Sequence, residues 1–253
     1  MLQRRQKSKI YQKLSCLSAT FKTIYYNIQN KKFEREVYAL NRFVTSGSIC
    51  FDIGAGYGKY TFMLSKIVGN TGHIYSFEPG NYSYRVLSNI VKFHRLKNVT
   101  LVKKALLDKK GFSTLAIPIK ESGKLGKGIA YVCSNFDPGF VYEKVEQTTL
   151  DDYCLENGIS NIDFIKCDVE GAELLVLKGG KSCIERYKPV ILCEVIKEFL
   201  DRFGLNLSDI HNFINQINYK IFILKDDRFE KIDQITQNHN YFFIHTAKTF
   251  ILS

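Results

Sequence analysis

The residues best suited to chemistry are carboxylates that follow predicted strands, and the first of them stands beside a run of glycines. Residues 49–53 form a short apolar run that contains Asp52, and Gly54, Gly56 and Gly58 follow at alternate positions. An apolar-periodic segment begins directly afterwards, so the pattern predicts a buried parallel strand, a tight turn and a helix. Glycines let a ligand approach the backbone closely, and the unpaired N–H groups that open the helix face that ligand.

The spacing of this turn indicates the kind of ligand. A dinucleotide fingerprint has glycine at its first, third and sixth positions, but the sixth position here is Lys59. Asp52 would repel a pyrophosphate and attract a cation. An acid followed by alternating glycines is typical of methyltransferases that bind S-adenosylmethionine, a sulfonium nucleoside, and a purely structural turn is the alternative. The predicted cofactor-binding residues at this turn are Asp52, Gly54, Ala55, Gly56 and Gly58.

The next two predicted strand ends add residues that suit a nucleoside. Glu78 ends residues 72–78, one strand-helix-strand unit after the glycine turn. An acid at this position accepts hydrogen bonds from ribose hydroxyls in nicotinamide and sulfonium cofactors alike. After the third strand we expect Ala105 and Leu106 to flank an adenine ring and Asp108 to accept from its amino group. The Asp108 segment also suits a simple turn.

A second cluster of acids lies in residues 161–173, another predicted strand that runs into a helix. Asp168 and Glu170 are close together, so one pKa should rise unless Lys166 or a bound cation compensates for their repulsion. We expect Asp168 or Glu170 to be the catalytic base that takes the proton of an acceptor hydroxyl. Glu173 is explained equally well as a helix-capping residue. Glu194 ends a further strand. Asp168 and Glu194 could instead bind Mg²⁺ or Ca²⁺, which is the alternative to a role for Asp168 as base. No third ligand is identifiable in the sequence, so no metal is predicted.

The elements that must position these acids follow an α/β order. A chain of 253 residues with 45% hydrophobic and 24% charged residues is an ordinary single globular domain. Glycines and prolines divide residues 111–147 into short β-like runs, which predict a hairpin insertion above the carboxyl edge of the sheet, where loops commonly bind substrate. Its aromatic residues could form a wall for an acceptor. They are Tyr131, Phe136, Phe140 and Tyr142.

The N-terminus differs in charge from the rest of the chain. Residues 1–35 contain nine Lys or Arg residues and a single acid, so they hold most of the formal net charge of +11. Apolar residues recur there every three or four positions, which predicts an amphipathic helix with a basic face. It could pack on the domain, or it could bind a partner or a membrane surface. We therefore divide the chain into an arm, residues 1–35, and a catalytic domain, residues 36–253, with a polar linker near residues 27–32.

The cysteines and the apolar runs bear on location. The seven cysteines are scattered, with no C-x-x-C pair, so a zinc site is not expected. We expect the cysteines to be buried free thiols in a reducing compartment. No apolar run reaches the roughly 18 residues of a membrane span, and the N-terminus lacks a signal-peptide core. We expect a cytoplasmic protein.

Four segments resemble the FkbM-type methyltransferase family in order and spacing. They are residues 51–55, 77–79, 105–106 and, most specifically, the Lys-x-Asp-x-Glu-Gly-Ala-Glu block at 166–173, within a match over roughly residues 45–245. The resemblance implies an α/β, Rossmann-like class I methyltransferase sheet of seven strands, the last antiparallel, with helices on both faces. It also implies S-adenosyl-L-methionine as donor and methylation of a hydroxyl on a sugar, glycolipid or small metabolite. Residues 57–60 depart from the Asn-x-Gly run that is more usual in the family, and the variable insertion leaves the acceptor open.

Two other classes remain. An RNA ribose methyltransferase would explain the basic charge, although the motifs of base methyltransferases, Asn/Asp-Pro-Pro-aromatic and Pro-Cys, are missing at the expected places. A nicotinamide-dependent oxidoreductase shares the general fold, but Lys59 at the sixth position of the turn opposes it. The favoured partner is a small-molecule or glycan acceptor, with nucleic acid less favoured and membrane contact through the arm left open.

Overall fold

The computed structural model describes residues 2–29, 34–119, 126, 130–133 and 136–252. The α-helices are α1 (Leu2–Gln29), α2 (Arg35–Ala39), α3 (Lys59–Val68), α4 (Asn81–Phe93), α5 (Leu150–Glu156), α6 (Glu173–Gly179), α7 (Lys181–Tyr187), α8 (Lys197–Leu200) and α9 (Leu207–Gln216). The strands are β1 (Ile49–Ile53), β2 (His73–Phe77), β3 (Val99–Val102), β4 (Ala105–Leu106), β5 (Gly111–Pro118), β6 (Tyr131–Cys133), β7 (Phe140–Thr148), β8 (Phe164–Cys167), β9 (Val190–Val195), β10 (Tyr219–Lys225), β11 (Arg228–Ile232) and β12 (His239–His245).

The main sheet has the strand order β11-β10-β12-β9-β8-β1-β2-β3. Strands β3, β2, β1, β8 and β9 are parallel to their neighbours within this run, and β12 is antiparallel to both β9 and β10. The Rossmann-like class and the antiparallel last strand are confirmed. The expected count of seven strands is wrong, because β11 adds an eighth at the edge beside β10.

Strand β11 is formed by a tight hairpin whose sequence gives little strand signal. Asp226 and Asp227 both have positive φ, 45° and 61°, which is the conformation of the two central residues in the tightest hairpin turns. The strand itself is charged and mostly exposed. A short exposed edge strand lacks the apolar run by which buried strands are recognised.

The central strands are apolar on both sides because helices cover both faces of the sheet. Phe51 and Ile53 of β1 pack into one buried cluster with α5 and α6, whereas Cys50 packs into a second cluster with Leu64 of α3. Strands buried on both faces appear as continuous apolar runs. This arrangement leaves the carboxyl ends of β1, β2 and β8 side by side.

The predicted insertion at 111–147 is present as a second sheet with the order β4-β7-β5-β6. Strands β5 and β7 form its antiparallel hairpin, from the pair Gly111–Gln147 to the pair Pro118–Phe140. Strand β4 pairs in parallel with the end of β7 and so fastens the insertion to the main domain. Residues 120–125, 127–129 and 134–135 of the insertion lie outside the described residues.

The N-terminal helix α1 packs along α4 and also contacts α3. Cys16 and Ile24 are buried against Val86 and Ile90 of α4. The predicted linker begins within α1, at Asn27, and residues 30–33 lie outside the described residues. Among the helices that the structure describes, none combines the length and the apolarity needed to cross a membrane.

Candidate active site

The carboxyl ends of β1, β2 and β8 open into one cavity of about 1090 Å³. Residues of helix α1 and of the insertion also line it. In open α/β sheets, ligands bind at this edge. Most of the predicted site residues line the cavity. They are Asp52, Gly54, Ala55, Gly56, Glu78, Ala105, Leu106, Asp168 and Glu170.

The glycine turn is held tightly between two strand ends. The N–H groups of Gly54 and Ala55 both donate to the Phe77 carbonyl, at 3.0 and 2.9 Å. Gly54 has φ +78°, and a Cβ at this position would lie 1.8 Å from the Asp168 carbonyl oxygen. Only glycine fits here, both for its backbone conformation and for its contact with the loop after β8.

Glu78 supports the same turn from the end of β2. Its Oε2 accepts from the N–H of Gly56 at 2.9 Å, and its Oε1 accepts from the N–H of Gly80 at 2.8 Å. Burial raises the pKa of Glu78 to about 8, although the two backbone donors oppose that rise. The carboxylate that we predict to bind ribose therefore also fixes the backbone of the turn through two hydrogen bonds.

Asp52 is almost fully buried within a polar row that crosses the sheet. It stands beside Ser76 of β2 and Lys166 of β8 in register, and Thr61 of α3 donates to its Oδ2 at 2.5 Å. Burial raises the pKa of Asp52 to about 6, against the effects of the Thr61 hydrogen bond and the Lys166 charge. A cationic ligand in the cavity would favour the ionised carboxylate.

Lys166, which the sequence suggested as one possible source of compensating charge, lies beside the acidic cluster. Its side chain is 2% exposed, and its Nζ lies 3.3 Å from Asp168 Oδ2. Burial would raise the pKa of Asp168, but the Lys166 charge and a hydrogen bond from Glu194 outweigh it, so the pKa is lowered. Burial and the negative charge of Asp168 raise the pKa of Glu194 to about 8. The pair therefore shares one proton at neutral pH, held by Glu194.

Glu170 occupies a strained position in the loop between β8 and α6. Its φ is +59°, which is uncommon for a residue other than glycine, and its buried Oε2 has no hydrogen-bond partner among the described residues. Burial, with the negative charge of Asp168, raises the pKa of Glu170 to about 7. Strained backbone and an unsatisfied buried oxygen together are typical of functional sites.

Glu173 stands in the first turn of α6, but it holds the preceding loop rather than capping the helix, since α6 has no side-chain cap hydrogen bond. Its Oε1 accepts from the N–H groups of Val169 and Gly171, at 3.0 and 3.1 Å. The close contact of Gly171 with the Phe199 backbone explains the glycine, since an added Cβ would lie 2.3 Å from that carbonyl oxygen. Glu173 thus fixes the loop that presents Asp168 and Glu170.

Two predicted cofactor-binding residues lie outside the cavity lining. Gly58 is the N-cap of α3, with φ +84°, and an added Cβ would lie 2.6 Å from Leu87 Cδ1, so this glycine serves helix packing. Asp108 is exposed, because the chain there passes the end of α6 at Gly179. The Asp108 carboxylate is therefore not part of the cavity lining.

The insertion contributes less of a wall than its aromatic content suggested. Tyr131 lines the cavity, together with Leu115 and Val132. Phe136, in contrast, is 69% exposed and packs against Tyr142, with ring centroids 4.7 Å apart. Most of these rings therefore stabilise the insertion itself.

A further group of cavity residues gave no signal in the sequence. Glu34 accepts from Lys59 Nζ at 2.5 Å and from Tyr60 Oη at 2.8 Å, which places the start of α2 beside the turn. Lys22 and Tyr26 of α1 line the cavity as well. These contacts join segments that are distant in sequence, so no local pattern could reveal them.

The carboxylates do not form a recognisable metal centre. Within the described ranges, no group of three or more His, Cys, Asp or Glu residues has an arrangement that could hold a metal ion. The cation beside Asp168 is the ammonium group of Lys166.

The sheet order, the glycine turn and the acids at the strand ends define a class I methyltransferase. A family model described as the methyltransferase FkbM domain matches residues 52–243. The chain therefore belongs to the FkbM methyltransferase family. This membership excludes the nicotinamide-dependent oxidoreductase as an alternative.

A comparison with solved structures found similar chains. The FkbM methyltransferase from Methylobacillus flagellatus KT has 17% identity and a TM-score of 0.52, over 79% of this chain and 44% of that one, so this chain spans less than half of its length. A putative rRNA-methylase from Clostridium thermocellum has 13% identity over 83% of this chain and 93% of that one, with a TM-score of 0.48. A putative methyltransferase from Streptococcus mutans in complex with SAH has 13% identity over 84% and 98%, with a TM-score of 0.46. No curated protein sequence matches this chain.

Proposed function

We propose that this chain is an S-adenosylmethionine-dependent O-methyltransferase that acts on a hydroxyl of a sugar, glycolipid or small metabolite. The observation that carries the proposal is the gathering of Asp52, Glu78 and Asp168 around the Gly54 turn in one cavity. Family membership gives methyl transfer as the reaction, and the cavity supports the choice of donor and the chemistry of the acceptor.

The cavity residues fit S-adenosylmethionine. Asp52 and Asp168 offer negative charge to the ammonium and sulfonium groups, and Glu78 offers acceptors to the ribose hydroxyls. Ala105 and Leu106 are buried and apolar, which suits an adenine ring. When bound, the donor supplies an electrophilic methyl group.

The acidic loop then has to hold the acceptor hydroxyl and remove its proton. Asp168 stays ionised because Lys166 lowers its pKa, so it can accept a hydrogen bond from the acceptor at any pH near neutrality. Glu170 has a pKa of about 7, which suits a general base at neutral pH, since a base is most effective when its pKa lies near the working pH. We propose Glu170 as the base and Asp168 as the residue that orients the hydroxyl. Proximity and alignment supply the rest of the acceleration.

The cavity residues contributed by α1 and the insertion suit an acceptor with several hydroxyl groups. Ser18, Lys22 and Tyr26 of α1 and Tyr131 of the insertion line the cavity. These side chains carry hydroxyl and ammonium donors together with aromatic surface. We propose that they hold the acceptor.

Transfer of labelled methyl groups from S-adenosylmethionine tests the proposal. The purified chain is incubated with separate panels of sugars and small metabolites, of glycolipids in vesicles, and of RNA. We expect label in a sugar, glycolipid or metabolite, in an ether that resists mild base, and we expect Glu170→Gln to slow its incorporation by about 10²–10⁴-fold. Label in RNA ribose alone would replace this acceptor class with the RNA alternative.

The cellular setting completes the proposal. All seven cysteines are free, and six of them are buried. Free thiols suit the reducing cytoplasm, which we propose as the location. We also retain the division into an arm, residues 1–35, and a catalytic domain, residues 36–253.

A further inference from the structure

One side of α1 carries large apolar side chains that the rest of the described chain leaves uncovered. They recur every three or four residues and so form one stripe along the helix. Their exposed fractions run from 41% at Leu17 to 67% at Phe21. The members of this exposed stripe are Leu14, Leu17, Phe21, Tyr25 and Ile28.

The stripe is not required for the packing of α1 on the domain. The buried side of the helix carries Cys16 and Ile24, which pack against α4. Another side carries Lys22 and Tyr26, which line the cavity, and Leu14 at the N-terminal end of the stripe borders the cavity as well. A contiguous exposed apolar surface on a helix that is already anchored marks a surface for interaction.

The charge of α1 indicates what this surface contacts. Residues 2–29 contain six Lys or Arg residues and no Asp or Glu, and residues 1–35 contain nine bases and one acid. An apolar stripe flanked by bases is the pattern of helices that lie in the interface of an anionic membrane. Two copies of this arm would repel each other through the same charges. Nucleic acid would use the bases but leave the aliphatic side chains of Leu17 and Ile28 without a partner.

We propose that α1 docks on the surface of an anionic lipid bilayer, with the exposed stripe among the headgroups and the acyl boundary and with attraction between the net positive charge of the arm and the anionic lipids. The cavity, which shares α1 as one of its walls, then lies next to the membrane surface. This docking is independent of the methyl acceptor.

Flotation of the full chain with lipid vesicles tests the proposal without any assay of methyl transfer. The probes are vesicles of phosphatidylcholine alone and vesicles with about one part phosphatidylglycerol to three parts phosphatidylcholine. We expect binding to the anionic vesicles only, weakened about tenfold when salt is raised to about 0.5 M. We also expect Phe21→Asp to weaken binding about tenfold. The matched control is Leu155→Asp, an 82% exposed apolar residue of α5, which should bind as the parent chain does.

Both variants replace exposed side chains, so both should fold, and unchanged thermal unfolding of each verifies this. The proposal is overturned if the parent chain ignores anionic vesicles, or if Phe21→Asp and Leu155→Asp bind equally well. Light scattering tests the alternative that the stripe binds a second copy of this chain. If the parent chain is a dimer that Phe21→Asp makes monomeric, and vesicles do not compete with dimer formation, the stripe is an interface between two copies and the proposal is wrong.

Discussion

A Cβ atom added to Gly54 would lie 1.8 Å from the carbonyl oxygen of Asp168, so the glycine turn and the acidic loop are in direct backbone contact. Backbone atoms cannot yield as a flexible side chain can. The two halves of the site are therefore one unit, and a disturbance at the turn should reach the acids.

Gly54→Ala should damage both stability and binding. Gly158→Ala is its control, because Gly158 also has positive φ, +63°, but has nothing within 4 Å of an added Cβ. We expect the control to lose about 1 kcal/mol of unfolding free energy from backbone strain alone, and Gly54→Ala to lose about 3 kcal/mol from strain and overpacking. Denaturant unfolding and S-adenosylhomocysteine binding measure the difference. Equal losses of stability and of S-adenosylhomocysteine binding in the two variants would show that the contact between Gly54 and the Asp168 loop is not important.

Lys166→Met should destabilise the protein, because it leaves Asp168 without its cation. Removal of one partner of a buried ion pair costs about 3–5 kcal/mol. We expect about 2 kcal/mol, since the Asp168 side chain is 35% exposed. The pair Lys104–Glu146 is more exposed, so Lys104→Met should cost less than about 1 kcal/mol. In a double-mutant cycle with Asp168→Asn, additive losses would contradict a coupled pair.

Glu194→Gln should change how stability depends on pH. The pKa of Glu194 is about 8 in the folded protein, above its ordinary value of 4.5, so the folded state retains a proton that the unfolded state releases. The stability contributed by that proton is present below pH 4.5 and is lost as pH rises through about 8. The variant keeps a donor toward Asp168 at every pH. We therefore expect equal unfolding temperatures near pH 5 and a more stable variant near pH 9. Parallel curves for the two proteins would show that Glu194 is not protonated in the folded state.

The pH dependence of turnover separates the two candidate bases. If Glu170 is the base, kcat should rise with pH through about 7, the pKa of Glu170. Glu170→Gln should lower kcat by about 10²–10⁴-fold and leave S-adenosylhomocysteine affinity nearly unchanged. A flat profile between pH 6 and 8, with full activity in Glu170→Gln, would instead make Asp168 the base that removes the acceptor proton. The pKa of Asp168 is lowered, so its ionisation would not change over this range.

The parts of the site that could be predicted are those written in local sequence. A strand, a glycine turn and a helix follow one another within residues 49–68, so their joint geometry is visible in spacing alone. The same holds for Glu78 and for the Asp168 loop. Their convergence follows from a parallel sheet, which brings the carboxyl ends of its strands to one edge.

The parts that could not be predicted depend on contacts between distant segments. Lys166 stands within a strand, and only the register beside Asp52 shows that it is buried against the acids. The position of α1 over the cavity depends on α4, more than fifty residues away in the sequence. Asp108 fits the expected spacing, but the packing of its turn against Gly179 keeps it from the cavity.

Calorimetric titration with S-adenosylhomocysteine tests the central claim, that acids at the strand ends around the glycine turn form the cofactor site. The account predicts binding by the parent chain, at least about tenfold weaker binding by Asp52→Asn and Glu78→Gln, and unchanged binding by Asp108→Asn. A parent chain that does not bind, or variants at Asp52 and Glu78 that bind as tightly as Asp108→Asn, would contradict it.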